Sequence, residues 1–205
     1  MHLSINEIEQ MDHLYKINLM NSISGYKPAN LIATKSNDGV TNVAVFSSVV
    51  HYGSSPAILG FVLRPTTVVR NTYDNIKKTG YYTINAISES IIDDAHHTSA
   101  KYPSEVSEFD KTNLTEAYKD NFYAPFVAES PLQIGMKFLE EHPIKANGTI
   151  LILGEVADLY FEKSMLSDDG FLNLSKEKIA AINGLDTYMI ADKFKRLSYQ
   201  RPKKI

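Results

Sequence analysis

Ser36-Asn37-Asp38-Gly39 stands between two runs rich in apolar and β-branched residues, Ala29 to Lys35 and Val40 to about Val50. Asn, Asp and Gly tolerate the positive φ that tight turns require, so this tetrapeptide predicts an antiparallel hairpin. Ala57 to Leu63 is apolar on both faces, which predicts a buried strand. It ends at Arg64-Pro65, because proline removes a ladder donor and holds its predecessor extended. Tyr81–Ala86, Tyr123–Glu129, Leu132–Glu140 and Gly148–Phe161 read as further strands, the last long enough to curve between sheets in a barrel.

Helices are few. Ile5, Ile8, Met11 and Leu14 fall at helical spacing and predict a short amphipathic helix over 5–15. Thr66 or Thr67 can cap a helix from Val68 to about Thr79, with Gly80 as its stop. Ser88 can cap another through Ile91, Ile92 and Ala95 to about Ser99. Residues 101–121 are polar and poor in aliphatics, an excursion with a short helix. A loop at Asp168-Asp169-Gly170 precedes a short helix near 175–181, and the tail from Tyr188 to Ile205 collects Lys193, Lys195, Arg196, Arg201, Lys203 and Lys204. Many strands with few helices between them fit a barrel with peripheral helices and not a doubly wound sheet. No repeat or linker divides the chain, so one domain over 1–205 is expected.

Composition narrows the chemistry. With no cysteine, disulfides, thiol nucleophiles, Cys-ligated zinc and iron–sulfur clusters are excluded, and a redox role must borrow a cofactor. A net charge of -3 argues against a broad nucleic-acid surface, though not against a local basic pocket for one anion. The N-terminus has neither a basic nor an apolar signal region, and no apolar run approaches the ~20 residues of a membrane helix. A cytoplasmic globular protein with no nucleic-acid or membrane partner is the expectation. His96-His97 invites a metal reading, but adjacent helical residues point about 100° apart and no HExxH pattern supports them, so no metal is expected. The chain has no GxGxxG, Walker A, GxSxG or EF-hand pattern.

Three stretches, in order, resemble the flavin reductase-like family of FMN-binding split β-barrels. The first is Pro28-Ala29-Asn30-Leu31-Ile32-Ala33-Thr34, then Asp38-Gly39 and Asn42-Val43-Ala44-Val45-Phe46-Ser47-Ser48. The second is Gly60-Phe61-Val62-Leu63-Arg64-Pro65, leading into Arg70-Asn71-Thr72, Asn75-Ile76, Thr79-Gly80-Tyr81 and Asn85. The third is Gly184-Leu185-Asp186-Thr187-Tyr188 with Arg196, Tyr199, Arg201 and Pro202. The likeness spans about residues 26–202. It implies a mainly β fold with peripheral helices, a homodimer with FMN at or near the subunit interface, and NAD(P)H-dependent flavin reduction or a related electron transfer. Members often carry lysine-aspartate-threonine where this chain has Arg70-Asn71-Thr72: the arginine keeps a cation for phosphate, while Asn71 lacks a carboxylate for helix capping. The segment from His96 to Pro103, with Glu108-Phe109, resembles one subgroup of the family.

FMN needs donors for a phosphate dianion and a flat apolar slot for its ring. Under the resemblance, the strand from Asn42 through Val43 and Ala44 offers backbone groups and a small residue for close approach, and Ser47 and Ser48 add hydroxyls. The same strand also reads as an ordinary barrel strand with a serine-rich end. Arg64, Thr66, Thr67, Arg70, Asn71 and Thr72 lie at a strand-to-helix turn, where a helix N-terminus and arginine suit phosphate. Either arginine can instead pair with Asp74 or another carboxylate. The resemblance puts His97 near the flavin, against a solvated helix pair; Tyr199 and Arg201 either close over the flavin or the partner subunit or belong to a frayed tail. The function expected is an NAD(P)H-dependent flavin oxidoreductase, with NADH or NADPH as hydride donor and a small molecule or partner oxygenase as acceptor. Its rivals are an FMN carrier with no nicotinamide site and a barrel that has lost flavin and serves as an interaction module.

Overall fold

The computed structural model describes residues 1–202. Strands β1 (Lys27–Pro28), β2 (Asn30–Lys35) and β3 (Thr41–Phe46) come first. Ser36 closes the β2–β3 hairpin: its N–H donates to the Val40 carbonyl at 2.8 Å, and its hydroxyl accepts from the Val40 N–H at 3.0 Å. Gly39 takes φ +89° at the tip, a value that glycine adopts without a Cβ penalty.

The strands that follow are β4 (Val50–Ser54), β5 (Ala57–Leu63), β6 (Tyr81–Ala86), the short β7 (Glu116–Ala117) and β8 (Phe126–Val127), β9 (Leu132–Ile144), β10 (Thr149–Phe161), β11 (Ala180–Asn183) and β12 (Thr187–Ile190). Seven of them form one antiparallel sheet in the order β3-β2-β6-β9-β10-β5-β4. The two end strands, β3 and β4, are chain neighbours joined by residues 47–49. The sheet curls until Phe46 of β3 meets Phe61 of β5 edge to face, centroids 5.1 Å apart, and Tyr82 of β6 stands 5.7 Å from Phe61. Ile32, Leu63, Ile76, Ile84, Met136 and Ile152 fill the interior around these rings. Each fully buried side chain of this size contributes about 1.5–3 kcal/mol.

A second core lies on the outer face of β2 and β3. Leu31, Ala33 and Val43 pack there against Ala95, Phe109, Ala180 and Ile182. Those partners come from a short helix at Ile92–His97, from the excursion and from a small sheet of order β1-β11-β12. Helices α1 (Ile5–Glu9), α2 (His13–Ser22), α3 (Asn71–Thr79) and α4 (Ile92–His97) are peripheral. None is long and apolar enough to cross a membrane. The fold is therefore mainly β with peripheral helices, as expected.

Several elements differ from the sequence expectation. The first helix divides in two, because Asp12 caps α2 by accepting from the N–H groups of Leu14 and Tyr15. Helix α3 begins at Asn71, and neither Thr66 nor Thr67 caps it: Thr66, Thr67, Val68 and Val69 are four β-branched residues in succession, stiff at χ1 and poor starters of a helix. The expected strand from Val40 to Val50 breaks at Ser47-Ser48, and Val50 opens β4 at the opposite end of the sheet. Ser88 precedes a 3-10 turn at Glu89–Ile91 that leads into α4, and its side chain does not cap. The strand expected over Tyr123–Glu129 is reduced to β8, and the helix near 175–181 is a 3-10 turn at Leu174–Glu177 followed by β11. Lys178, at φ 48°, makes that change of direction. The tail is strand only as far as Ile190; Lys203 and Lys204 of the basic cluster lie outside the described residues.

Candidate functional site

Strand β3 is an edge strand, so half of its backbone groups face away from β2. The Ser36 N–H bond to Val40 fixes which half: alternation along an antiparallel pair turns Thr41, Val43 and Val45 outward. The Val43 N–H is taken by a side chain, donating to Glu108 Oε2 at 3.0 Å. On the barrel face, buried Asn42 donates from Nδ2 to Thr72 Oγ1 at 3.0 Å, and Asn75 donates to Thr34 Oγ1 at 3.0 Å. These two amides lock α3 across the β2–β3 hairpin. Ala44, the small residue beyond Asn42, is half-buried.

The turn from Arg64 to Arg70 carries most of the expected phosphate donors. Arg64, Thr67, Val68 and Val69 are exposed. Arg70 is the N-cap residue of α3 and donates from Nε to the Pro65 carbonyl at 3.4 Å. No side chain caps this helix, so its first-turn N–H groups have no side-chain acceptor. Neither Arg64 nor Arg70 forms an ion pair among the described residues, with Asp74 or any other carboxylate. The Asn71 and Thr72 side chains are engaged within the protein: Asn71 Nδ2 donates to the Ser104 carbonyl at 3.2 Å, and Thr72 accepts from Asn42.

Ser104 belongs to a strap, residues 98–108, running from the end of α4 to the outer edge of β3. His97 and Tyr102 face each other at its start, Nε2 to hydroxyl 2.7 Å. His96 turns elsewhere, its Nδ1 lying 3.3 Å from the Tyr188 hydroxyl, so the two imidazoles do not converge. Burial and the nearby Asp186 carboxylate push the Tyr188 hydroxyl up to about 12. At the far end of the strap, the Ser107 hydroxyl is 2.9 Å from Thr41 Oγ1, and Thr41 donates to Glu116 Oε1 at 2.5 Å. Burial raises the Glu108 carboxyl, and accepting backbone N–H groups partly offsets that.

The remaining expected residues separate. Ser48 is tied to β5, accepting from the Val62 N–H at 3.1 Å and donating to the Val62 carbonyl at 3.0 Å. It replaces the ladder where β3 and β4 part. Ser47 is half-buried beside it. Tyr199 is 90% exposed on the tail beyond Ile190. That tail is held by Arg196, which pairs with Asp169 at 2.5 Å and lies over the Phe171 ring. Asn42, Val43, Asn71, Thr72 and His97 are thus tied together through α3 and the strap, Arg64, Thr67 and Arg70 lie on the turn leading into α3, and Tyr199 lies outside the group. Sequence reading missed Glu108, Tyr102 and Ser104 as working parts. The signal for Glu108 was Phe109 beside it, an apolar anchor in a polar stretch.

One surface adjoins this region. Val62 on β5 and Val50 and Tyr52 on β4 are exposed, and the outer face of Gly60 is covered by Leu153 and Tyr52. An apolar outer sheet face bordered by Ser48 and Arg64 is unlike the polar solvent face of an ordinary antiparallel sheet.

A curled antiparallel sheet that parts between chain neighbours β3 and β4 defines a split barrel, and solved structures share it. A candidate flavin reductase with a split barrel domain from Shewanella frigidimarina NCIMB 400 is 42% identical, with TM-score 0.94 over 98% of this chain and 100% of that one. Nitrilotriacetate monooxygenase component B from Bacillus cereus is 18% identical, with TM-score 0.85 over 96% and 99%. An FMN-binding protein from Thermus thermophilus is 14% identical, with TM-score 0.69 over 84% and 91%. The chain belongs to the flavin reductase like domain family, whose model matches residues 26–182. Its coarse function is accordingly that of a flavin-linked oxidoreductase.

Proposed function

We propose that this chain is a single-domain, homodimeric flavoprotein that holds FMN between β3 and the start of α3 and takes a hydride from NADH or NADPH. The observation that carries the reading is the uncapped N-terminus of α3, with Arg70 as its N-cap residue and Arg64 without a carboxylate partner among the described residues. Unpaired N–H groups at a helix start and an arginine beside them suit a phosphate dianion. The residues present therefore fit the cofactor. Backbone N–H groups of Asn71 and Thr72, with Arg70, Arg64 and Thr67, would hold the phosphate; Ala44, Ser47 and the outward Val45 backbone would meet the ring. Asn42 acts through Thr72, fixing the helix start relative to the strand.

When bound, FMN supplies a ring that accepts a hydride and passes electrons on, and the protein contributes position and electrostatics. His97, held by Tyr102, borders the strap side of the site and would guard that face. The apolar outer face around Val50, Tyr52, Val62 and Leu153 supports dimerisation, and its continuity with Ser48 and Arg64 supports a cofactor at the interface. The acceptor is a small molecule or a partner oxygenase, a reading supported by the likeness to a monooxygenase component B.

The test is the visible spectrum of purified protein after FMN addition and desalting, followed by anaerobic stopped-flow mixing with NADH and NADPH. Retained flavin bands at about one per subunit, rapidly bleached by a nicotinamide, are expected. Retained flavin bleached only by dithionite would make the protein a carrier; a colourless protein would end both flavin readings. Arg70→Ala should weaken FMN binding by about 1.5–3 kcal/mol. Unchanged affinity would move the phosphate contact to Arg64.

A further inference from the structure

Glu108 is the one acidic side chain pressed against the outer edge of β3 that is itself buried, at 8% exposure. Its Oε2 accepts the Val43 N–H across a sequence separation of 65 residues. No lysine, arginine or histidine pairs with it among the described residues. A buried carboxylate without a cation is unfavourable, so its place needs a reason. The surrounding contacts supply one. Phe109 anchors the adjoining residue in the same core as Val43, Ser107 meets Thr41, and Ser104 receives Asn71 at the start of α3.

We infer that Glu108 is a positioning residue for flavin binding: by pinning Val43 it fixes the strap between the outer edge of β3 and the N-terminus of α3. This rests on the FMN reading above. Two effects follow from the geometry. The Val43 N–H is satisfied without a partner strand, so the sheet ends at β3 and the next outward group, Val45, stays available. The strap also receives a second anchor, so the distance from strand edge to helix start is set at both ends. In this arrangement Glu108 acts through the Val43 backbone.

The experiment combines residue-resolved amide exchange with FMN titration by fluorescence, in the full-length protein and in Glu108→Ala and Glu108→Gln. In the wild type, the Val43 amide should exchange at least about ten-fold more slowly than the outward Val45 amide before FMN is added. Glu108→Ala should raise the Val43 rate to that of Val45 and weaken the FMN Kd by about ten-fold. Glu108→Gln keeps an acceptor oxygen and should hold both quantities within about three-fold of wild type. A Gln variant that falls as far as the Ala variant overturns the role, because charge and not the Val43 bond would then matter. If the Ala variant does not fold, the wild-type exchange contrast and the Gln variant decide, and a fast Val43 amide overturns the inference. A wild-type protein that takes up no FMN overturns the flavin reading itself. FMN uptake with an unchanged Kd in Glu108→Ala overturns the role of Glu108 alone.

Discussion

Gly154 and Tyr82 should behave as a coupled pair in the barrel interior. The Tyr82 hydroxyl is buried and has no hydrogen-bond partner among the described residues, and burial holds its pKa well above the ordinary phenol value. An unpartnered buried hydroxyl costs about 1–3 kcal/mol, and phenylalanine has the same ring without it. Tyr82→Phe should therefore stabilise the fold by about 1–2 kcal/mol. Gly154 lies on β10 directly beneath that hydroxyl: a Cβ there would overlap the Tyr82 oxygen and sit 3.0 Å from both its Cζ and the Lys137 carbonyl. The carbonyl is backbone on the neighbouring strand and cannot yield, so Gly154→Ala should cost about 1–3 kcal/mol as overpacking. In the Tyr82→Phe background the worst overlap is gone while the other two remain. The glycine substitution should then cost about 1 kcal/mol less, without becoming neutral. Urea unfolding of the four proteins at one fixed concentration measures this, since the stability of an oligomer depends on concentration. Additive effects, or a Tyr82→Phe variant less stable than wild type, would refute the reasoning.

Other consequences are open to measurement. Asn42→Ala leaves Thr72 without its buried donor and should cost about 1–3 kcal/mol in urea unfolding while detaching the start of α3; an unchanged midpoint would show that the helix does not depend on this bond. Glu108 has a raised folded pKa, so its contribution to stability is greatest below the unfolded carboxylate value of about 4.3 and is lost as pH rises through the folded pKa. Glu108→Gln escapes that loss, so thermal melts should show the variant gaining on wild type from pH 4 to pH 8; a variant that loses ground to wild type as pH rises contradicts the sign. Arg196→Ala removes an exposed pair and should leave the melting temperature unchanged, yet trypsin should cleave the tail at Lys193 and Lys195 sooner. Equal cleavage would mean that Asp169 and Phe171 do not hold the tail.

What the sequence revealed follows the range of each interaction. The β2–β3 turn was legible because Asn37, Asp38 and Gly39 act within their own tetrapeptide, and β5 and β6 because their residue types are fitted to burial. Strand β4 was hidden: His51, Tyr52, Gly53 and Ser54 show no alternation, and their pairing depends on β5. Strand β11 was masked by Lys176, Glu177 and Lys178, which read as helix until the positive φ at Lys178 turns the chain. At the candidate site, the residues at the start of α3 could be named from the turn, but their partners could not. Thr72 meets Asn42 across 30 positions, and Val43 meets Glu108 across 65. No local pattern carries such pairings: Phe109 hints that its neighbourhood is anchored, but nothing beside Glu108 names Val43 as its partner.

The parting between β3 and β4 bears on how the chain reaches its fold. The barrel ladders join distant residues: Ile32 pairs with Ile84, and Phe61 with Ile152. Such pairings require large loops to close before any contact rewards them, and folding on the millisecond-to-second scale is the expectation for this topology. The seam is the exception. Its two strands are already tethered by residues 47–49, so bringing them together needs almost no further search. Ser48, bonded to both backbone groups of Val62, can close late and reopen locally without unzipping the rest, making the seam a natural low-energy breathing point.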